Sequence, residues 1–171
     1  MSISLLLEMA ASGDPHRVAV VDADVRLTTA DLSALADGGA GVITASGATH
    51  VVYVGTGGVL LPLLLFASAR ANTAFTPLNY RLSPDGLRQL IDRLSDPLIV
   101  VDVEYQDVLA GIGERVMTSD EFIEAARCTE PVSAFADPDA VAVVLFTSGT
   151  TSRPKAVELT HNNLTSYVTG T

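Results

Sequence analysis

Strand-like and helix-like segments alternate along the first part of the chain, and this alternation restricts the fold more than any other feature. Residues 51–54 and 98–101 are apolar runs rich in β-branched residues, which are typical of buried strands, and residues 73–76 predict another short strand. Between them, residues 59–70 are apolar nearly all round, which predicts a buried helix. A second helix is predicted to begin at Ser83, a capping residue that Pro and Asp follow. This β-α-β-α-β order predicts an α/β fold with a parallel or mixed sheet and helices on both faces.

Local signals predict further elements. Residues 18–21 and 25–27 are short strand-like runs separated by an Asp-Ala-Asp turn, so they predict a hairpin. Thr28 can cap a helix after this hairpin, with Asp31 at the capping-box position. A weaker helical pattern covers residues 119–127. The helix from Ser83 is predicted to continue to Asp96-Pro97 because it carries an apolar stripe at helical spacing, formed by Leu87, Leu90, Ile91 and Leu94.

Net charge and cysteine content exclude several classes of function. The 171 residues carry a net charge of −10, and the sequence contains no basic footprint of the kind that binds nucleic acid. Cys128 is the single cysteine, which excludes a disulfide framework and a cysteine-based metal cluster. The first residues lack the basic segment of a signal peptide, and the longest apolar run, residues 59–69, is shorter than the ~18 residues that span a bilayer. We therefore expect a cytoplasmic protein without a transmembrane segment.

Residues 147–155 concentrate five hydroxyl groups, one glycine and two cations in nine positions. They follow the apolar run 141–146, which is typical of a buried strand, and precede a second strand-like run at 156–159. Gly149 allows a phosphate to approach the backbone N–H groups closely. The ammonium group of Lys155 can neutralise a phosphate oxygen. These properties predict a loop that binds an anion such as a phosphate chain.

Three other interpretations of this loop are open from its residues alone. A Walker A loop needs a glycine and a hydroxyl at the positions of Pro154 and Ala156, and a helix after the loop, so its fit is poor. The S-x-x-K motif matches residues 152–155, but that chemistry places both residues on a helix, and Pro154 disfavours a helix there. A hydroxyl-rich surface turn without a ligand is the simplest alternative.

A second turn that contains glycines, residues 55–58, follows the strand-like run at 51–54. It is similar to a dinucleotide-binding turn, but the third glycine of G-x-G-x-x-G is missing. No acidic residue about 20 positions later lies at a strand end, as that motif requires. We therefore interpret this turn as structural.

The residues around the 147–155 loop distinguish between these interpretations. Residues 145–157, followed by Thr160-His161, resemble the phosphate-loop signature of the adenylate-forming superfamily, in which a hydrophobic pair precedes T-S-G-T-T-G-x-P-K-G-V. Ser152 and Ala156 stand where that pattern has glycine. Two earlier segments, residues 27–32 and 71–82, are also similar to family segments, and the second points to the acyl-CoA synthetase branch more than to peptide synthetases.

The resemblance implies an N-terminal subdomain of the adenylate-forming fold and the function of an ATP-dependent acyl-activating ligase, similar to fatty-acid–CoA ligases. In that family, a carboxylate, here a fatty acid, reacts with Mg·ATP to give an acyl-adenylate and pyrophosphate. Coenzyme A then accepts the acyl group. Thr147 is the residue expected to contact Mg²⁺. The residues expected to hold the β- and γ-phosphates are Thr147, Ser148, Gly149, Thr150, Thr151 and Lys155.

The resemblance also implies that these residues form part of a longer enzyme. Residues 1–171 correspond to the N-terminal part of an AMP-binding domain and end shortly after the phosphate loop at 145–157. The family's adenine-binding, ribose-binding and hinge segments and its catalytic lysine lie later, so we expect no catalytic residue here and an inactive chain. Two alternatives stay open. One is a non-catalytic fragment that pairs with a second copy through exposed apolar surface, and the more distant one is a Walker-type NTPase.

Overall fold

The computed structural model describes residues 1–112, 115–132, 136–147 and 154–170. A 3₁₀ helix, Val103–Leu109, lies among the elements of these ranges. In chain order, the other helices and strands are α1 (Ser4–Gly13), β1 (Val18–Asp22), β2 (Val25–Thr28), α2 (Thr29–Ser46), β3 (His50–Gly55), α3 (Leu60–Arg70), β4 (Ala74–Asn79), α4 (Pro84–Ile91), β5 (Pro97–Val101), β6 (Val116–Thr118), α5 (Ser119–Cys128), β7 (Val141–Thr147), β8 (Lys155–Thr160) and α6 (His161–Thr169).

Six of these strands form one sheet in the spatial order β6-β5-β3-β4-β7-β8. Neighbouring strands from β6 to β7 run parallel, whereas β8 pairs antiparallel with β7. Helices α3 and α4 follow β3 and β4, as the β-α-β-α-β pattern predicts. Strands β1 and β2 form a separate antiparallel hairpin, which was also predicted. The sheet is therefore mixed, with a parallel centre and one antiparallel edge.

Strand β3 lies in the middle of the sheet and divides its side chains between two cores. Val51 and Tyr53 pack with apolar residues of α2, α3 and α5 on one face. Val52 and Val54 pack with α4 and the 3₁₀ helix on the other face. All four side chains are buried, because a parallel strand that is covered on both faces has no solvent side. The predicted arrangement of helices on both faces is confirmed.

Helix α2 closely approaches the C-terminal part of α5 and the residues that follow it, at two glycines. A Cβ atom at Gly38 would lie 1.8 Å from the carbonyl oxygen of Ala126, and one at Gly41 would lie 2.5 Å from the carbonyl oxygen of Glu130. A side chain would collide with backbone at both points, so only glycine fits. This close approach lets Phe122 of α5 pack fully inside the core.

Hydrogen-bonded caps define the helix starts that the sequence predicts. The hydroxyl of Thr28 accepts from the Asp31 N–H at 3.1 Å, while the Asp31 carboxylate accepts from the Thr28 N–H at 2.9 Å. This reciprocal pair is the predicted capping box. The hydroxyl of Ser83 accepts from the Gly86 N–H at 3.1 Å. Helix α5 begins with a second capping box, at Thr118.

Helix α4 ends at Ile91, earlier than its apolar stripe predicts. The N–H groups of Arg93 and Leu94 donate to the carbonyl oxygens of Leu90 and Ile91, at 3.2 Å and 2.9 Å. These bonds span three residues, so the chain continues in tighter turns than an α-helix. Leu94 nevertheless packs against the core, which explains why the stripe extends beyond the helix.

The composition of helix α3 predicts burial on all sides, and this prediction is wrong for one side of the helix. Leu63, Leu64 and Ala67 are buried, but Leu61 is 42% exposed because α2 and the sheet cover the other side of the helix. The sequence patterns also do not predict α1 or the three-residue strand β6. Within the described ranges, every helix is too short or too polar to cross a membrane.

Candidate functional site

The β7–β8 ladder brings the two ends of the predicted phosphate loop together. Thr147 is the last residue of β7, Lys155 is the first residue of β8, and the two are cross-strand partners. The register continues with Phe146 opposite Ala156. Because antiparallel partners lie about 4.5–5.5 Å apart between Cα atoms, Thr147 and Lys155 flank the same end of the hairpin.

This end of the hairpin lies at the carboxyl edge of the parallel strands. Strand β7 runs parallel to β4, and β4 runs parallel to β3, so Thr147 lies at the same edge as Asn79 and Gly55. Crevices outside the carboxyl ends of strands are the usual ligand sites of open α/β sheets. The two described residues of the predicted site therefore lie where this class of fold binds ligands.

Both of these residues are open to solvent. Thr147 is exposed, and its hydroxyl donates to the carbonyl oxygen of Lys155 at 3.5 Å, which is longer than the usual O–H···O distance of about 2.5–3.0 Å. The Lys155 side chain is exposed as well. A weakly held hydroxyl and an accessible ammonium group are thus available to an anion. The other residues of the predicted site, Ser148, Gly149, Thr150 and Thr151, lie outside the described ranges.

Lys155 begins a strand, and this geometry matches neither alternative motif. A Walker A loop leads into a helix whose N-terminus binds the phosphates, and the S-x-x-K motif needs both of its residues on a helix. Here β8 follows the loop directly. Ala156, which stands where the family pattern has glycine, lies in exposed extended backbone opposite Phe146, where a methyl group is tolerated.

The turn at residues 55–58, after β3, is held by the carboxylate of Asp102. This carboxylate accepts from the Thr56 N–H at 2.8 Å and from the Tyr53 hydroxyl at 3.0 Å. Burial raises the pKa of the Tyr53 phenol far above its ordinary value, so the hydroxyl keeps its proton and remains a donor. The contact joins the ends of β3 and β5 at the carboxyl edge of the sheet.

A second carboxylate occupies the start of α3. Asp22, at the end of β1, accepts from the Val59 N–H at 3.3 Å, and a Cβ atom at Gly58 would lie 2.0 Å from its Oδ2 atom. Gly58 has a φ of +56°, which favours glycine. Because Asp22 and Asp102 accept from N–H groups that a dinucleotide phosphate would need, the structural interpretation of this turn is supported.

The cleft beside this turn is acidic. It has a volume of about 410 Å³ and lies between the turn, β2 and α5, and its lining includes four carboxylates, Asp22, Asp102, Glu104 and Asp120, against one cation, Arg127. These carboxylates would repel a triphosphate. No group of three or more His, Cys, Asp or Glu side chains in the described ranges could hold a metal ion. The end of the β7–β8 hairpin is therefore the better candidate for a phosphate site.

Strand β8 leads directly into α6, and the start of α6 is tied to the beginning of the chain. His161 is 1% exposed, and its Nδ1 atom accepts from the Ile3 N–H at 3.4 Å. Burial lowers the pKa of His161 below its ordinary value. The sequence identifies His161 only as part of the family signature and predicts neither its burial nor its partner. Its contact with Ile3, which is 158 residues away, has no local signal.

Arg93 is another residue beside the loop that the sequence patterns do not indicate. Its Nη1 atom donates to the carbonyl oxygen of Pro154 at 2.8 Å. Its Cζ atom lies 4.8 Å from the ring centroid of Phe146. Because 61 positions separate Arg93 from Pro154 in the chain, only the fold brings them together.

Comparison with known proteins identifies relatives over nearly the whole chain. The family model described as AMP-binding enzyme matches residues 7–171. A feruloyl-CoA synthase of Amycolatopsis sp is 31% identical over 156 residues, which cover 88% of this chain and 32% of that protein. Tyrocidine synthase 3 of Brevibacillus parabrevis is 26% identical over 168 residues, which cover 95% of this chain and 2% of that protein. The chain thus spans about a third or less of the length of these relatives.

Solved structures share the fold. The fatty acyl CoA synthetase of Mycobacterium tuberculosis superposes with a TM-score of 0.86 at 22% identity, over 98% of this chain and 37% of that chain. ATP-bound MatB from Rhodopseudomonas palustris has a TM-score of 0.83 at 28% identity, over 98% of this chain and 36% of that chain. The predicted α/β fold and the predicted family are both confirmed. With a family model that covers nearly all of its residues, this chain belongs to the AMP-binding enzyme family, the adenylate-forming ligases.

Proposed function

We propose that this chain supplies the triphosphate-binding edge of an ATP-dependent acyl-activating ligase. The observation that best supports this proposal is the pairing of Thr147 with Lys155 at the carboxyl edge of the sheet. The proposed phosphate-binding residues are Thr147, Ser148, Gly149, Thr150, Thr151 and Lys155. The proposed products of the first step are an acyl-adenylate and pyrophosphate.

In the proposed first step, a carboxylate oxygen of the substrate attacks the α-phosphorus of ATP. The new bond joins this oxygen to the α-phosphorus, and the bond from the α-phosphorus to the bridging oxygen of pyrophosphate breaks. Negative charge therefore grows on the β-phosphate as pyrophosphate leaves. A cation and hydroxyl groups around the β- and γ-phosphates favour this step, because they stabilise charge that develops in the transition state.

Lys155 is suited to this role by its position and by the composition of the chain. It is the single lysine among 171 residues whose net charge is −10. Its exposed ammonium group lies at the start of β8, away from the acidic cleft between the 55–58 turn and α5. In so acidic a protein, local positive charge determines where a triphosphate can approach.

The donors at this edge fit a magnesium ion that arrives with the nucleotide. Mg²⁺ is usually held by one or two protein oxygens together with phosphate oxygens and water. The Thr147 hydroxyl is exposed and weakly held, so it can provide one such oxygen. Bound there, Mg²⁺ would neutralise part of the phosphate charge. In this proposal, Thr147 holds the ion and Lys155 holds a phosphate oxygen.

The substrate and the acceptor are proposed from the relatives. A carboxylic acid is the proposed substrate, with a fatty acid as the first choice, because the chain resembles acyl-CoA synthetases and one structural neighbour is a fatty acyl CoA synthetase. The name feruloyl-CoA synthase makes an aromatic acid the second choice. Coenzyme A is the proposed acceptor. A cytoplasmic location is proposed because the chain has a single cysteine, Cys128.

Two assays test separate parts of this proposal. We expect the 171-residue protein to bind Mg·ATP, and Lys155→Gln to remove most of the affinity, because a neutral amide cannot neutralise a phosphate. We expect no carboxylate-dependent ATP–pyrophosphate exchange from this chain alone, since its single lysine is assigned to the phosphate loop. Unchanged affinity in Lys155→Gln would contradict the first expectation. Robust exchange with a fatty or aromatic acid would contradict the second.

A second candidate function, association with another copy of the chain, is favoured by exposed apolar side chains. Leu5 and Met9 of α1 and Leu61 of α3 are exposed. Leu6 and Phe66 help to line an apolar groove between the same two helices. Sedimentation velocity tests this candidate. A dimer that weakens in Leu61→Ser would support it, and a monomer at every concentration would eliminate it.

A further inference from the structure

Arg93 is anchored to the body of the fold just after α4. Leu90 and Ile91 of α4 are buried in the core on one face of the sheet. The Arg93 N–H donates to the carbonyl oxygen of Leu90 at 3.2 Å. The backbone of Arg93 therefore has a fixed position, whereas its exposed side chain extends to the β7–β8 hairpin.

The Arg93 side chain contacts both strands of the hairpin next to the loop. Its Nη1 atom donates at 2.8 Å to the carbonyl oxygen of Pro154, the residue before Lys155. Its guanidinium carbon lies 4.8 Å from the ring centroid of Phe146, the residue before Thr147. The first contact is a charge-assisted hydrogen bond and the second is a cation–π contact. One side chain thus connects the neighbours of both site residues to α4.

The hairpin has limited backbone pairing with the rest of the sheet at this end. Strand β7 pairs with β4 at Phe75 and Val143, and β8 is the edge strand. In the described ladder, the last residues of β7 pair with β8. Pro77 of β4, two positions beyond Phe75, has no N–H group to donate. The position of the hairpin end relative to the body therefore depends on side-chain contacts such as those of Arg93.

We infer that Arg93 is a positioning residue for the proposed triphosphate site. By holding Pro154 and Phe146, it sets the positions of Lys155 and Thr147 relative to the parallel strands. This inference rests on the proposed function, because the site that Arg93 positions is the proposed one. Arg93 acts through its protein contacts and needs no contact with the nucleotide.

The test compares Arg93→Gln with Arg88→Gln in the 171-residue protein. Arg88 is an exposed arginine on α4, so both variants change the net charge equally. The first measurement is the dissociation constant of inorganic tripolyphosphate, by calorimetry. The second is amide hydrogen exchange at Thr147, Lys155 and Ala156 in the absence of ligand.

We expect Arg93→Gln to weaken tripolyphosphate binding about fivefold relative to Arg88→Gln, since one charge-assisted hydrogen bond and one exposed cation–π contact are lost. Hydrogen exchange at the hairpin end should accelerate in Arg93→Gln and not in Arg88→Gln, while exchange in α2 stays unchanged. Arg93→Lys keeps a cation and a donor, so it should restore part of both properties.

If the wild-type protein binds tripolyphosphate, the inference requires that Arg93→Gln both weakens this binding and accelerates hydrogen exchange at the hairpin end. The absence of either effect overturns it. A loss of affinity with unchanged hairpin exchange, for example, would make Arg93 a direct ligand of the anion. If the wild-type protein binds no tripolyphosphate, the proposed function fails. In that case, faster exchange in Arg93→Gln still supports positioning of Thr147 and Lys155 by Arg93, and unchanged exchange overturns it.

Discussion

Arg70 of α3 and Asp37 of α2 form an ion pair at 3.0 Å, although Arg70 is only 1% exposed. The same guanidinium group donates to the carbonyl oxygen and to the hydroxyl of Ser33, also on α2. Burial of a charge is costly unless the charge is paired and hydrogen-bonded. These contacts fasten α2 to α3 on one face of the sheet.

Asp37→Ala should lower the free energy of unfolding by about 2–4 kcal/mol, because the Arg70 guanidinium stays buried without its counter-charge. Urea denaturation followed by circular dichroism measures the loss. Glu124→Ala is the control, since Glu124 pairs with Arg127 at 3.7 Å on the surface. Exposed pairs of this kind contribute about 0–1 kcal/mol. Equal losses in the two variants would contradict the structural role of Arg70.

Gly38→Ala should destabilise the fold by about 2–3 kcal/mol, because the new methyl group would collide with the carbonyl oxygen of Ala126 and push α2 and α5 apart. Gly13→Ala is a matched control at the end of α1. A Cβ atom at Gly13 would meet no atom within 4 Å, so its effect should be neutral or slightly stabilising. Thermal unfolding compares the two. A Gly38→Ala protein as stable as Gly13→Ala would show that α2 and α5 do not pack as described.

His161 should make stability depend on pH. Burial and the nearby amino terminus lower its pKa in the folded state, while the unfolded chain has the ordinary value of about 6.5. As pH falls below about 6.5, the unfolded state takes up the proton first, so the free energy of unfolding decreases until the lowered folded pKa is passed. The contribution is complete above about pH 6.5. Protonation of Nδ1 would also remove the acceptor of the Ile3 N–H.

Urea denaturation at about pH 7.5 and pH 5.5 measures this dependence. Wild-type protein should lose more stability between these values than His161→Gln, which has no imidazole to protonate. His16→Gln replaces an exposed histidine and should behave like the wild type. The same pH dependence in His161→Gln and in the wild type would rule out His161 as the source.

The elements that the sequence predicts correctly each carry a local signal. The helix at Ser83 has a cap and a proline, α2 has a capping box at Thr28, and β3 is a β-branched run. Such signals act within a few residues, so they do not depend on the rest of the fold. The chemical character of the phosphate loop is local in the same way, because it follows from hydroxyls, a glycine and a lysine in consecutive positions.

The contacts that the sequence does not predict join residues far apart in the chain. The sequence shows that Gly38 lies within a helical pattern, but it does not predict that a carbonyl group of α5 approaches this glycine. In the sequence, Arg93 lies within the predicted helix but outside its apolar stripe, which is typical of a solvated residue, and its partner Pro154 lies 61 positions later. The loop residues indicate which ligand is plausible, whereas the fold determines which edge of the sheet presents them.

The most direct test of the triphosphate site is the reactivity of Lys155. Because the chain has no other lysine, an amine-acetylating reagent modifies only this side chain and the amino terminus, which serves as an internal reference. We predict that tripolyphosphate with Mg²⁺ slows acetylation of Lys155 in a concentration-dependent way and leaves the amino terminus unaffected, as measured by mass spectrometry of peptides. Equal acetylation rates of Lys155 with and without saturating tripolyphosphate would contradict the proposed site.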